Sequence, residues 1–137
     1  MPSRLALLHR IIGIAAVIMF LATGQYMDRV HAHLEGMADA QRMLFRSTHL
    51  YILFTGLMNL GLGIYHQPFR DRLARPLQNV GSLLLLAVPV LITVGFFTEP
   101  FLTEFARPYT RPAAYMSLAG GVLLTAGYVI DWAGRRS

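Results

Sequence analysis

Charged residues divide this sequence into four long uncharged stretches that are rich in apolar side chains. The apolar residues do not alternate with polar ones as in a half-buried strand, and runs such as IIGIAAVIMFLA and SLLLLAVPVLITVGFF favour helices. The uncharged stretches cover residues 11–27, 47–69, 76–98 and 112–130. Each is close to the ~20 residues that an α-helix needs to cross the hydrocarbon core of a bilayer.

The pattern therefore predicts an all-α, single-domain polytopic membrane protein, a bundle of four transmembrane helices. Helices are expected because backbone groups in lipid must be bonded within their own segment. An amphipathic outer segment is predicted at residues 34–46, where apolar residues recur at nearly helical spacing. The predicted spans cover about residues 8–27, 47–66, 77–98 and 113–132.

An alternative interpretation treats residues 1–24 as a cleaved signal peptide. Its basic start and the small residues at 22–24 resemble a cleavage pattern. The first apolar stretch continues to Met27, beyond a usual signal core, and this favours retention of the first span.

Composition supports the membrane prediction and indicates an orientation. The 137-residue chain is 55% hydrophobic and 14% charged, whereas soluble domains carry roughly 25% charged residues. All 12 basic residues are arginines, which hints at a GC-rich bacterial genome. More of them lie on the side of the two termini, namely Arg4, Arg10, Arg70, Arg72, Arg75, Arg135 and Arg136. By the positive-inside rule, both termini are predicted to be cytoplasmic, in a bacterial cytoplasmic (inner) membrane.

The same composition excludes several function classes. The chain has no cysteine, which excludes disulfides, thiolate metal sites and thiol–disulfide relays. It contains neither a GxxxxGK[ST] nor a GxGxxG phosphate-binding loop. The net charge of +5 lies in short segments between apolar spans, so it indicates orientation rather than nucleic-acid binding. No nucleophile is paired with a base, and the sequence favours a role other than that of an enzyme.

The second predicted span has one face made of polar or small residues. His49, Gly56, Asn59, Gly63 and His66 fall within an arc of roughly 100° on a helix. Asn59 is predicted to bond to a neighbouring helix, because polar groups in lipid seek such partners. The two glycines leave space either for a neighbouring helix or for a flat macrocycle.

The five histidines form two predicted clusters, one at each membrane surface. His9 and His66 make the inner cluster, and His31, His33 and His49 make the outer one. One interpretation is haem b held by imidazoles from two helices, with His9, His66, His49 and His31 as ligands. A second is a divalent metal at His31, His33 and His49. A third is that these histidines are solvated residues at helix ends.

The fourth predicted span carries a small residue at every fourth position, namely Ala113, Ser117, Gly121 and Thr125. Small residues let helices approach closely in lipid, where packing rather than the hydrophobic effect holds helices together. We predict that this stripe packs inside the bundle, with a dimer interface as the alternative.

These features favour a non-catalytic membrane protein, an accessory, assembly or scaffold subunit whose polar residues serve helix packing. The alternative is a haem- or metal-binding protein in electron transfer or metal handling, and a channel or carrier is a third class. The expected partners are the lipid bilayer and either a second copy of the chain or a larger membrane complex, without nucleic acid.

Overall fold

The computed structural model describes residues 3–102 and 106–136 of the chain. Within these residues all regular secondary structure is helical, as the apolar pattern predicts. The four α-helices are α1 (Arg4–Arg29), α2 (Asp39–Tyr65), α3 (Ala74–Thr98) and α4 (Thr110–Gly134). Two short 3-10 segments cover Ala32–Leu34 and Glu99–Phe101.

In the described ranges, three helices are long and apolar enough to cross a membrane, namely Arg4–Arg29, Ala74–Phe101 and Thr110–Gly134. The helix α2 is equally long but less apolar, because polar residues such as His49 and Asn59 interrupt its hydrophobic sequence. The four predicted spans lie within the four helices, except that His66 follows the last residue of α2.

The turn between α1 and α2 delays the start of α2. Three consecutive residues have positive φ values, namely Ala32 (44°), His33 (59°) and Leu34 (67°). A right-handed helix does not continue through left-handed backbone. Within the segment predicted to be amphipathic, residues 34–46, the α-helix therefore begins only at Asp39.

The four helices pack as two antiparallel hairpins, α1–α2 and α3–α4. Contacts of α3 with α2 and α1 join the hairpins, and α4 packs mainly against α3. The helix α3 is consequently the central one, with 50% of its most apolar stretch buried against 17% for α4. The end of the molecule that holds Ser3, the loop after α2 and the last turn of α4 is called the inner end below.

Glycines bring α1 and α2 into close contact. A Cβ atom at Gly13 would lie 2.8 Å from the backbone nitrogen of Leu60, and one at Gly63 would lie 2.8 Å from that of Arg10. Both distances are shorter than van der Waals contact. Any side chain at these positions would therefore push the two helices apart.

The helix α4 meets α3 through glycines outside the predicted small-residue stripe. A Cβ atom at Gly120 would lie 3.0 Å from the carbonyl oxygen of Gly81, and one at Gly127 would lie 3.3 Å from that of Ala74 and 2.8 Å from the ring of Phe69 in the loop before α3. A Cβ atom at Gly121 would meet nothing within 4 Å. The prediction that the stripe packs inside the chain is wrong at Gly121.

The geometry of the helix explains why this prediction fails. A four-residue repeat drifts by about 40° per step around an α-helix, whereas a seven-residue repeat drifts by only about 20°. Ala113 is buried, but the stripe winds away from α3, and Ser117, Gly121 and Thr125 line a shallow outward groove. The buried face of α4 follows the seven-residue repeat instead, through Ala113, Gly120 and Gly127.

Candidate functional site

A chain of buried polar groups connects α1, α2 and α3. His9 is fully buried, and its Nδ1 lies 2.7 Å from the Oδ1 of Asn59. The Nδ2 of Asn59 donates to the carbonyl oxygens of Thr55 at 2.9 Å and of Leu85 at 3.1 Å. An amide oxygen can only accept, so the Nδ1 of His9 carries the proton and its Nε2 is a bare acceptor. This Nε2 has no hydrogen-bond partner among the described residues.

Pro89 explains why Asn59 bonds to α3 at this position. In an α-helix the N–H of residue 89 would donate to the carbonyl of residue 85, but proline has no N–H. The amide of Asn59 donates to the carbonyl oxygen of Leu85 instead. A polar residue in the middle of α2 thus satisfies a carbonyl that the proline leaves without its helical partner.

The two inner histidines do not face each other as predicted. His9 bonds to Asn59, whereas the Nδ1 of His66 lies 3.0 Å from the Oγ of Ser3. They do not bond to each other because Gly63 lies against Arg10, and this register sets His66 opposite the first turn of α1, about one helical turn from His9. The Nε2 of His66 is buried and, like that of His9, has no bonded partner in the described part of the chain.

His49 packs into the interface between α1 and α2. Its Nδ1 lies 2.9 Å from the Oγ1 of Thr23, and its ring stacks on Phe20 with centroids 4.1 Å apart. The hydroxyl of Thr23 donates to the carbonyl oxygen of Met19 at 2.9 Å, so it accepts from the imidazole. His49 therefore links two helices at the outer end.

The outer metal ligands predicted from sequence are not brought together. The ring of His31 lies against Phe45 with centroids 5.2 Å apart, and exposed His33 pairs with Asp28 at 2.6 Å. Across the residues that the structure describes, no three His, Asp or Glu side chains are grouped as a metal site requires. The metal site expected at His31, His33 and His49 is thus not formed.

The glycines of α2 do not leave space for a macrocycle. A Cβ atom at Gly56 would lie 2.9 Å from the Cβ of Ala16, and Gly63 is equally close to the backbone of Arg10. The helix α1 fills the volume that the haem interpretation assigned to the cofactor. These glycines instead allow α2 to pack closely against α1.

Glu99 has a role that the sequence analysis missed. It is fully buried, and its Oε1 accepts from the backbone N–H of Tyr109 at 2.9 Å and of Thr110 at 2.7 Å. Its Oε2 accepts from the hydroxyl of Thr110 at 2.6 Å. The carboxylate thus caps the N-terminus of α4, where the helix dipole favours negative charge. The one sequence signal is that Tyr109, which precedes α4, supplies no capping side chain.

Asp131 performs a comparable task at the inner end. Its Oδ1 accepts from the backbone N–H of Arg70 at 2.6 Å and of Asp71 at 2.8 Å, and its Oδ2 accepts from Arg135 at 2.6 Å. These bonds fasten the loop between α2 and α3 to the last turns of α4. The bonded partners of Asp131 are thus backbone groups of this loop and one arginine.

A cavity of about 880 Å³ lies at the inner end, between α2 and α4 and above α3. We call it the inner cavity. Apolar and aromatic side chains form its walls, Ser82 and Gln78 of α3 form its floor, and two arginines lie at its rim. The residues of its walls and rim include Gly61, Leu62, Tyr65, Leu124, Tyr128, Arg70 and Arg135.

No protein-family model, curated protein or solved structure matches this chain. The assignment of a function therefore rests on the side-chain geometry. The buried histidine, asparagine and carboxylate groups bond helices to one another or to a loop, and the inner cavity offers room for a ligand beside positive charge.

Proposed function

We propose that this protein is a four-span integral protein of a bacterial inner membrane, with both termini in the cytoplasm. The length and hydropathy of α1, α3 and α4 support this proposal. The helix α2 packs against α1 and α3, and its polar His49 and Asn59 bond to those neighbours, so α2 is suited to cross with them. The arginine excess at the inner end favours a cytoplasmic position for the termini.

Reporter fusions test this topology. Fusions after residues 40, 72 and 105 and at the C-terminus are expected to report periplasm, cytoplasm, periplasm and cytoplasm in that order. Periplasmic activity from the fusion at residue 72 would overturn the orientation.

We infer that the protein acts without catalysis, as an accessory, assembly or scaffold subunit. The observation that carries this inference is the outward groove of α4. Gly121 has no neighbour within 4 Å of its Cβ position and lines this groove with Ser117 and Thr125, and only 17% of the most apolar stretch of α4 is buried. Small residues on a lipid-facing helix surface suit the close approach of another transmembrane helix. The buried polar groups favour the same role, because they are engaged in bonds between helices.

Site-specific photo-cross-linking tests this role. The chain has no cysteine, so a benzophenone coupled to the single-cysteine variant Gly121→Cys probes this groove alone. In membranes of the producing bacterium we expect one protein adduct of defined mass. Twice the mass of the chain would identify a second copy, and another mass a larger complex.

The matched control is Leu83→Cys. Leu83 is 67% exposed on α3 and lies at a similar depth, since Gly81 contacts Gly120. It is expected to give only lipid adducts. Equal protein adducts from both positions, or none from Gly121→Cys, would contradict the scaffold proposal.

A further inference from the structure

The inner cavity combines apolar walls with a polar floor and an open side. Leu62 of α2 and Leu124 of α4 line opposite walls, and Tyr65 and Tyr128 are 83% and 55% exposed beside the opening. A Cβ atom at Gly61, on the α2 wall, would meet nothing within 4 Å. The volume of about 880 Å³ lies within the range of roughly 300–1,000 Å³ that is typical of small-molecule sites.

The same end of the molecule carries the excess positive charge of the chain. Its acidic residues are Asp71 and Asp131, and the charge of Asp131 is compensated by Arg135 and two backbone N–H groups. The guanidinium of Arg70 forms no ion pair within residues 3–102 and 106–136. The arginines at the inner end are Arg4, Arg10, Arg70, Arg72, Arg75, Arg135 and Arg136.

We propose that the inner cavity binds one anionic phospholipid. Its phosphate contacts Arg70 at the rim, beside the Asp131–Arg135 ion pair, and one acyl chain lies between the α2 and α4 walls. Guanidinium groups suit phosphate through their fork of N–H donors, and basic pockets between transmembrane helices on the cytoplasmic side are suited to such headgroups. The proposal rests on the membrane insertion proposed above, which puts the exposed aromatic residues at headgroup level.

A bound lipid also has a structural consequence. The helix α4 packs mainly against α3, so the gap between α2 and α4 separates the two hairpins at the inner end. A lipid in this gap contacts both helices and favours the folded state by mass action.

Native mass spectrometry of the delipidated protein in detergent tests the headgroup contact. We expect one phosphatidylglycerol per chain, bound about tenfold more tightly than phosphatidylcholine with the same acyl chains. Arg70→Gln is expected to weaken phosphatidylglycerol binding about fivefold, the effect of removing one nearby basic charge. The control is Arg72→Gln, which removes the same charge from the same loop outside the cavity, and it is expected to stay within about twofold of the parent.

A second pair of variants tests the acyl-chain contact. Gly61→Leu fills the α2 wall of the cavity, and Gly121→Leu adds the same side chain to the outward groove of α4. A Cβ atom meets nothing within 4 Å at either position, so both variants are expected to fold. We expect Gly61→Leu to weaken phosphatidylglycerol binding by at least about fivefold, while Gly121→Leu binds like the parent.

Four results would overturn the lipid site. Equal weakening of binding by Arg70→Gln and Arg72→Gln would indicate diffuse electrostatic attraction, and displacement of the lipid by inorganic phosphate alone would indicate a free-phosphate site. Phosphatidylcholine that binds as tightly as phosphatidylglycerol would exclude headgroup recognition, and parental affinity of Gly61→Leu would exclude the acyl-chain contact. Carbonate extraction separates this failure from that of the membrane proposal. A protein that resists extraction but binds no phosphatidylglycerol overturns the lipid site only, whereas an extracted protein overturns membrane insertion itself.

Discussion

Neutral polar groups bond along the length of the α1–α2 hairpin, with the guanidinium of Arg10 donating to the carbonyl oxygen of Gly63 toward its inner end, whereas the α3–α4 hairpin depends on carboxylates near its ends. In the first hairpin, His9 bonds to Asn59 and His49 bonds to Thr23, between glycines that bring the backbones together. In the second, the contact between the helices is apolar or glycine-based, with Glu99 at the outer end and Asp131 at the inner end.

The difference follows from the cost of burying each kind of group. A neutral imidazole or amide in a dry interface needs only one or two hydrogen bonds, whereas a carboxylate needs compensation for a full charge. Helix ends and loops supply that compensation, because their backbone N–H groups lack helical partners. The depth of a polar side chain along the helices therefore governs which chemical type occurs there.

The largest effect is expected from Gly13→Leu, which breaks the first hairpin. The new Cβ atom would lie 2.8 Å from the backbone nitrogen of Leu60 and 2.9 Å from the carbonyl oxygen of Gly56, and neither backbone can move locally. We expect a loss of about 3 kcal/mol in the free energy of unfolding, at the upper end for overpacking. Denaturation in mixed detergent micelles measures it. In micelles free of phospholipid, the control Gly61→Leu, in the same hairpin but without a neighbour within 4 Å, is expected to unfold like the parent. A free energy of unfolding equal to that of the parent would show that α1 and α2 are not tightly packed at Gly13.

The second hairpin is tested by Glu99→Gln. The substitution removes the charge and replaces one of the two carboxylate oxygens by an NH2 group. This NH2 group cannot accept from the backbone N–H groups of Tyr109 and Thr110 or from the hydroxyl of Thr110. We expect a loss of about 2 kcal/mol, as for a buried hydrogen-bonded charge. Exposed Glu35 on the outer turn provides the control Glu35→Gln, for which no change is expected. Equal stability of both variants would remove the contrast between the hairpins.

The sequence predicted the features that depend on local spacing. The four uncharged stretches correspond to four helices, and Gly56, Asn59 and Gly63 share a face that contacts another helix. These follow from helix periodicity alone. The hydrogen-bond partners of His9 and His66 were not predictable, because they depend on the register of α1 against α2, which no local spacing within either helix fixes.

The carboxylate caps and the buried face of α4 were also beyond the sequence. Glu99 caps a helix that begins at Thr110, and no local capping pattern connects such distant residues. In α4, two small-residue repeats share Ala113, and periodicity alone cannot choose between them. Gly81 and Phe69 on neighbouring elements decide the choice by contacting Gly120 and Gly127.

A smaller effect on stability tests whether the hydrogen bond from Asn59 to α3 stabilises the contact between the two hairpins. Asn59→Leu removes the donor to the carbonyl of Leu85, which Pro89 leaves without an N–H partner. Pro89→Ala restores that N–H, so the loss caused by Asn59→Leu is expected to shrink by about 0.6 kcal/mol in this background. A double-mutant cycle in detergent measures the coupling. Strict additivity would mean that the proline and the asparagine act independently.

The smallest effect on stability is expected from Gly121→Leu, which separates the packing of α4 within the chain from its packing outside it. A Cβ atom at this position meets nothing within 4 Å, whereas one at neighbouring Gly120 would lie 2.7 Å from the Cγ of Leu85. The free energy of unfolding of the isolated Gly121→Leu variant is therefore expected to stay within about 0.5 kcal/mol of the parent. Gly120→Leu is expected to lose about 2 kcal/mol through overpacking.

In a membrane, Gly121→Leu is expected to disrupt contact with a partner helix if the outward groove receives one. A leucine side chain at position 121 fills the groove beside Ser117 and Thr125, so a second helix is held at a distance. A photo-cross-linker at Ser117, introduced through Ser117→Cys, is then expected to lose its protein adduct when Gly121→Leu is added. A retained adduct would show that the groove is not the contact surface. A loss of adduct together with loss of folding would show that Gly121 supports the fold of α4 itself, contrary to the open space around it.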